Sequence, residues 1–216
     1  MVKELTLTIP TDWAGVSLKK YLTLQKDMKN YVDDEEAQTA LMLSHLCGLD
    51  AEYINSLSVE DYNKVRIALE GFINDTEYPL QKIIKINGVE YGFEPNLSQM
   101  TYGAYVDVSK FGQLTIDDNW PKIMSILYRP ITDKKGDMYS IETYKGNIDE
   151  KLFLDVNMDV QFGALFFFVN LLMDLLNATL KSLKVEELPH NIKSILEKSG
   201  EITKRLLNLQ TGNMVG

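Results

Sequence analysis

Apolar side chains recur at helical spacing through the first third of the chain. Between residues 58 and 73 they lie at i, i+3, i+7, i+10 and i+11, the pattern of one apolar helix face: Tyr62, Val65, Leu69, Phe72 and Ile73. Ser58, with Asp61 three residues on, predicts the N-cap of this helix. A preceding helix is predicted to begin at Asp33, which Glu36 follows at capping-box spacing, and to end at Gly48.

The chain before Asp33 predicts one strand and one helix. Leu5, Leu7 and Ile9 alternate with threonines up to Pro10, which is typical of a short half-buried strand. A helix is predicted from Thr11 onward. Residues 11–75 are therefore expected to be mostly helical.

The period of the apolar positions changes to two around Asn87-Gly88. These two residues suit the positive φ angles of a type I′ turn, the strongest short-range signal for a β-hairpin. Residues 82–86 and 89–93 would be its antiparallel strands. The register then gives matched cross-strand pairs: Ile86 with Val89, Ile84 with Tyr91, and Lys85 with Glu90.

Residues 94–145 carry mixed signals. A helix is predicted to start near Asp118 or Asn119, with Pro121 in its first turn, and to end at Pro130. Residues 132–136 are predicted to be a polar loop. Tyr139, Ile141 and Tyr144 then indicate a short strand.

The segment 160–184 predicts a helix that is apolar almost all round, which requires burial on most sides. One face of it is the predicted protein interface: Leu165, Phe168, Leu172 and Leu176. Its uncharged stretch, residues 160–173, is shorter than the roughly 20 residues of a spanning helix, so no membrane contact is expected. A further helical stretch is predicted to follow from Pro189.

Together these patterns predict an α+β fold that is predominantly α-helical with a central antiparallel β-hairpin. A single domain over residues 1–216 is expected, because no Pro- or Ser-rich linker divides the chain. Its three parts are the helical first half 11–75, the hairpin and mixed segment 80–145, and the C-terminal helices 158–209.

Composition narrows the classes of function. The chain has 22 Lys and Arg against 31 Asp and Glu, a formal net charge of −9. Direct nucleic-acid binding is not expected, because neutralising phosphates needs a basic surface. With two His and one Cys, neither a zinc set of the usual type nor an internal disulfide can form. A reducing compartment is therefore the expected location.

The candidates for chemistry are few. His45 and Cys47 are two residues apart, so on a helix they point away from each other. His190 follows a proline at a predicted helix start and is expected to be solvated. No phosphate-binding glycine loop and no nucleophile elbow is present in the sequence. The sequence thus predicts no catalytic residue, no cofactor and no metal ligand. A small enzyme using carboxylates alone, such as Asp107 and Asp117, is the remaining enzymatic alternative.

Several patches carry a resemblance to a known group of proteins. They are residues 7–13, Leu-Thr-Ile-Pro-Thr-Asp-Trp; 93–97, Phe-Glu-Pro-Asn-Leu; 100–107, Met-Thr-Tyr-Gly-Ala-Tyr-Val-Asp; and 126–131, Ile-Leu-Tyr-Arg-Pro-Ile. Together with Tyr21 in the helix after the first patch, they resemble virion-associated and tail-assembly proteins of tailed bacteriophages, in particular crAss-like and related phages of gut Bacteroidota.

The resemblance implies a non-enzymatic structural protein of the virion: a neck, ring or portal-associated protein, or a packaged cargo component. It implies a place in the virion and in the cytoplasm of the infected bacterial host. The partners would be other phage structural proteins, in a homo- or hetero-oligomer. A tail-assembly chaperone that binds an aggregation-prone tail protein is the alternative. The group supplies no catalytic residues to carry over.

Overall fold

The computed structural model describes residues 8–73, 78–111, 115–147 and 149–182. The chain divides into two compact units. Unit 1 comprises residues 1–16, 20–77 and 172–216, and unit 2 comprises residues 17–19 and 78–171. The predicted helices after Pro189 lie outside the described residues, as does most of the strand predicted over residues 5–9.

The described residues form eight α-helices and four β-strands. The helices are α1 Leu18–Met28, α2 Glu35–Cys47, α3 Ala51–Ser56, α4 Val59–Ile73, α5 Tyr102–Phe111, α6 Trp120–Leu127, α7 Glu150–Leu154 and α8 Met158–Ser182. The strands are β1 Ile83–Ile86, β2 Val89–Phe93, β3 Tyr128–Lys135 and β4 Met138–Ile141. This confirms the predicted α+β class with a helical majority. No helix among the described residues is both long and apolar enough to span a bilayer.

The helices of unit 1 begin and end largely where the sequence signals lie. Ser58 Oγ accepts a hydrogen bond from Asp61 N at 3.1 Å and donates one to Asp61 Oδ2 at 2.7 Å, which confirms the predicted cap of α4. Gly48, with φ of 70°, ends α2 as predicted. The N-cap of α2 is Asp34, whose Oδ1 accepts from Ala37 N at 2.9 Å, so the prediction of Asp33 was one residue early.

The helix predicted from Thr11 begins later than expected. Asp12 Oδ1 accepts from Ala14 N at 3.0 Å and caps a single 3-10 turn, Trp13–Gly15. Val16 is extended, so α1 starts only at Leu18. The local carboxylate cap thus competes with continuous helix in this segment.

The sheet of unit 2 is an antiparallel meander in the order β1–β2–β3–β4. The predicted hairpin is confirmed with its register, since Ile86, Ile84 and Lys85 pair with Val89, Tyr91 and Glu90. Asn87 and Gly88 have φ angles of 51° and 86°, as a type I′ turn requires.

The segment after β2 departs most from the sequence-based prediction. Helix α6 ends at Leu127 and not at Pro130, because Tyr128 and Arg129 pair with β2 as the start of β3. The predicted polar loop 132–136 is mostly strand. Its side chains are exposed, so they lack the apolar alternation that marks a strand. The short strand after it is confirmed as β4, but Tyr144 lies beyond its end.

Aromatic rings join the sheet of unit 2 to α8. Phe93 on β2 lies with its ring centroid 5.4 Å from that of Phe167, 6.0 Å from that of Phe168 and 5.2 Å from that of Tyr128. Phe153 of α7 lies 6.3 Å from Tyr128 in a tilted arrangement. Edge-to-face and tilted arrangements such as these are favourable for aromatic pairs, so the rings contribute to the packing between the sheet and the helices.

A buried hydrogen bond connects α6 to α8. Trp120 Nε1 donates to Gln161 Oε1 at 2.8 Å, and both residues are fully buried. The amide nitrogen of Gln161 lies 3.4 Å from the carbonyl oxygens of both Phe153 and Val156. One side chain therefore satisfies groups from α6, from α7 and from the turn after α7.

Replacing this amide should lower stability. Gln161→Leu leaves the indole N–H of Trp120 buried without its acceptor, which costs about 1–3 kcal/mol. The measurement is the free energy of unfolding in urea. In the double variant Trp120→Phe/Gln161→Leu the loss should be smaller than the sum of the two single losses. Strictly additive losses would contradict the coupling.

Candidate functional site

The predicted interface on α8 is only partly accessible for interaction. Leu165 is 3% exposed and lies in the interior of unit 2. Phe168 is half-buried, with its ring against Phe93 and Phe167. The side chains of Leu172 and Leu176 lie outside the described residues. Of the first two, only Phe168 has surface left for another chain.

His45 and Cys47 both lie on α2 in unit 1. His45 Nε2 lies 2.9 Å from Asp27 Oδ2, a contact between α2 and α1 that the sequence does not reveal. Burial raises the pKa of the Cys47 thiol, although Lys20 acts in the opposite direction. Among the described residues, no group of three or more His, Cys, Asp or Glu side chains is placed to hold a metal ion.

The two carboxylates of the enzymatic alternative have local structural partners. Asp107 Oδ2 accepts a hydrogen bond from Tyr144 at 2.6 Å, and Asp117 Oδ1 accepts from Asn119 N at 2.8 Å. Burial raises the pKa of Tyr144 to about 12, with a further contribution from the bond to Asp107. Tyr144 therefore stays neutral at pH 7, and its hydrogen bond to Asp107 holds the segment after β4 against α5.

A buried ion pair joins residues 93–97 to residues 126–131. Arg129 on β3 and Glu94 just after β2 bond through Nη2 and Oε2, and each side chain is nine-tenths buried. Tyr139 on β4 donates to the Phe93 carbonyl at 2.7 Å beside them. Burial, and secondarily the charge of Glu94, raises the pKa of Tyr139. This cluster ties β2, β3 and β4 together.

One face of α5 is exposed and rich in aromatic side chains. Tyr102 is 81% exposed, Tyr105 60% and Val106 40%. They are spaced at i, i+3 and i+4 and so lie side by side on the helix. The opposite side of α5 packs against α6, and Ala104 is fully buried there. The three exposed residues are called the α5 face below.

A groove of about 770 Å³ runs along β1. One wall is β1 with Gln81 and Asn87 beside it. The other wall comes from residues between 149 and 160, in and around α7, the turn after it and the start of α8. All five residues from Ile83 to Asn87 line it, and none from β2 does. It therefore follows the outer edge of the sheet, and it is called the edge groove below.

The backbone of β1 offers unused hydrogen-bonding groups to the edge groove. Phe93 N donates to the Lys82 carbonyl at 2.8 Å, so Lys82 forms a hydrogen-bonded pair with β2. Because such pairs alternate along an antiparallel ladder, Ile84 and Ile86 also bond to β2. Ile83 and Lys85 then direct their N–H and C=O groups outward. Among the described residues no hydrogen bond to these outward groups is found.

The entry to β1 is fixed to α8 by close packing. A Cβ added to Gly163 would lie 2.6 Å from the Pro79 carbonyl oxygen, so only glycine allows this approach without movement. Gln81 Nε2 donates to Asp159 Oδ2 at 2.7 Å, and Tyr128 donates to the Gln81 carbonyl at 2.7 Å. Burial raises the pKa of Tyr128 well above its usual range. The groove walls are therefore held at a set separation.

Asp159 in the edge groove has an unused acceptor. Its Oδ1 is buried, and among the described residues it has no hydrogen-bond donor. Buried carboxylate oxygens are normally bonded. Two further carboxylates, Asp149 and Asp155, line the groove, against two ammonium groups, Lys85 and Lys151. The groove thus offers an acidic position next to an open strand edge.

Comparison of the chain with protein-family models, with curated proteins and with solved structures finds no match. The α5 face and the edge groove are therefore the two surfaces of the described residues that bear on function. Sequence reasoning missed both surfaces. The spacing of Tyr102, Tyr105 and Val106 was a visible signal for the first. The groove depends on tertiary packing and has no sequence signal.

The close contact at Gly163 predicts the sign of the stability change that an added methyl group causes there. Gly→Ala inside a helix normally stabilises by about 0.5–1 kcal/mol, but Gly163→Ala should destabilise by about 1–3 kcal/mol because the added methyl overpacks the site. Gly71→Ala in α4 is the matched control, since a Cβ there meets nothing within 4 Å. The measurement is the melting temperature of both variants. If Gly163→Ala raises it as Gly71→Ala does, α8 and the Pro79 backbone are not in contact.

Proposed function

We propose that this chain is a non-enzymatic, virion-associated structural protein of a tailed bacteriophage, of the neck, ring, portal-associated or packaged cargo class. The observation that carries the protein-binding part of the proposal is the α5 face. The phage part rests on the resemblance of residues 93–97, 100–107 and 126–131 to proteins of that group.

The α5 face has the composition of a protein interface. Tyrosine is enriched in the cores of interfaces, whereas charged residues are depleted there. Tyr102, Tyr105 and Val106 form a patch without a charged side chain among them, and all three are at least 40% exposed. Covering two tyrosine rings removes a large apolar area from water, which favours association at roughly 25 cal/mol per Å² before the costs of binding.

The other polar clusters favour structural roles. Glu94 and Arg129 bond to each other in the interior, and Asp107 is bonded to Tyr144. A buried ion pair of this kind fixes the arrangement of neighbouring strands, although the buried Nε of Arg129 has no hydrogen-bond partner among the described residues. These contacts stabilise the fold and hold its surface in place. They therefore favour a protein that binds other proteins over an enzyme that uses these carboxylates.

Particle composition tests the proposal. Mass spectrometry of gradient-purified phage particles should find this chain at several copies per particle. In particles grown with the double variant Tyr102→Ser/Tyr105→Ser, its copy number should fall at least severalfold. Tyr53→Ser is the matched control, because Tyr53 is 48% exposed on α3 and lies outside the α5 face.

Two outcomes would contradict the proposal. Absence of the chain from mature particles, with recovery on a tail protein from infected-cell lysate, would establish the tail-assembly chaperone instead. Unchanged incorporation of the tyrosine double variant would show that the α5 face is not the contact. Circular dichroism of each variant verifies that the fold is retained.

A further inference from the structure

We propose that the edge groove binds an extended segment of another protein chain, which adds to the sheet as a strand beside β1 and places a lysine or arginine against Asp159. This deepens the proposed function by naming a second contact and its chemistry, and it rests on that function for its biological setting. The binding mode is strand addition, in which main-chain hydrogen bonds supply affinity and side-chain contacts supply specificity.

The backbone of β1 provides the first half of the argument. The outward N–H and C=O groups of Ile83 and Lys85 offer two donors and two acceptors to an incoming strand. These residues are two apart, so their groups repeat at about 6.8 Å, the spacing of alternate residues on a partner strand at about 3.4 Å per residue. An extended peptide matches this repeat, whereas a helix bonds its own backbone groups and cannot.

The second wall of the groove provides room and orientation. At about 770 Å³ the edge groove is within the range of about 300–1,000 Å³ that ligand sites occupy. Two hydrogen bonds to the Val156 carbonyl hold the turn after α7 in place. Leu18 N donates to it at 3.0 Å, and Gln161 Nε2 lies 3.4 Å from it. A strand entering beside β1 would thus meet a preformed wall, which reduces the entropy lost on binding.

Asp159 specifies the charge of the segment. Its Oδ2 is bonded to Gln81, while the buried Oδ1 has no donor among the described residues. A lysine ammonium or arginine guanidinium supplies that donor together with an opposite charge, and charge-assisted bonds of this kind are about twice as strong as neutral ones. The carboxylates of Asp149 and Asp155 in the same groove add to the preference for a basic segment.

A second copy of β1 fits this site poorly. Pairing two copies edge to edge with Lys85 opposite Lys85 of the second copy would place like charges on adjacent strands, which is destabilising. Lysines on an edge strand are a common protection against such self-association. The occupant is therefore a segment of different sequence, with its basic residue at Asp159 and an uncharged residue opposite Lys85.

The probe is a capped nonapeptide of alternating threonine and valine with lysine at its centre, titrated into the full chain labelled with ¹⁵N. Amide signals of Ile83 and Lys85 should shift on binding and become protected from hydrogen exchange. Replacing the central lysine with norleucine should weaken binding about fivefold or more. Asp159→Asn should weaken binding of the lysine peptide similarly while leaving the norleucine peptide within twofold, as a direct charge pair requires.

Backbone methylation of the peptide separates strand addition from other modes. Methyl groups on alternate peptide nitrogens remove either the N–H groups that face β1 or the N–H groups that face away from it. One of the two methylated peptides should lose at least about tenfold in affinity, the equivalent of one or two hydrogen bonds, and the other less than twofold. This comparison uses the wild-type chain and does not depend on how a variant folds.

A variant pair in the protein gives an independent measurement. Lys85→Pro removes an N–H that points away from β2, so the hairpin pairing is retained, as prolines on edge strands permit. Lys85→Ala loses the same side chain and keeps the N–H. The proline variant should bind the lysine peptide at least about fivefold more weakly than the alanine variant.

Equal binding of the two methylated peptides, or no shift at Ile83 and Lys85 at millimolar peptide, would overturn the inference. These results are separable from those on particle composition. Peptide binding by a chain that is absent from particles would leave strand addition standing and remove the virion proposal. A chain present in particles that binds no peptide would do the reverse.

Discussion

The arrangement of unit 2 depends on one buried amide. Gln161 accepts from the indole of Trp120 at 2.8 Å, and its nitrogen lies 3.4 Å from two carbonyl oxygens of the chain around α7. Buried polar groups are costly unless they are bonded, so this side chain can occupy the core only while α6, α7 and α8 keep these positions. Since α6 leads directly into β3 at Tyr128, the same constraint reaches the sheet.

The two surfaces proposed for binding follow from that core. One turn on from Asp159, Gly163 lets the Pro79 backbone approach α8, and Gln81 is bonded to Asp159. β1 therefore begins at a fixed distance from α8, and the space left along its outer edge is the groove. Elsewhere in unit 2, α5 packs on α6 with Ala104 buried and leaves Tyr102 and Tyr105 exposed.

The sequence predicted those features that interactions between neighbouring residues determine. The Asn-Gly turn requires positive φ at both residues, and Ser58 with Asp61 forms a cap within one helical turn, so both were found from the sequence. The polar half of β3 was missed because both of its faces are exposed and pairing with β4 decides its conformation. The ion pair of Glu94 with Arg129 joins residues 35 apart in sequence, which no spacing rule addresses. The groove, likewise, exists only once β1 and α8 are in place.

We propose that this chain acts by being covered by other proteins on unit 2, at the α5 face and along β1. Hydrogen–deuterium exchange measured on the free chain and on the chain within assembled particles tests it most directly. The account predicts that amides of β1 and of α5 exchange more slowly in the particle, while exposed amides of α3 are unchanged. Equal exchange of β1 and α5 in both states would contradict it.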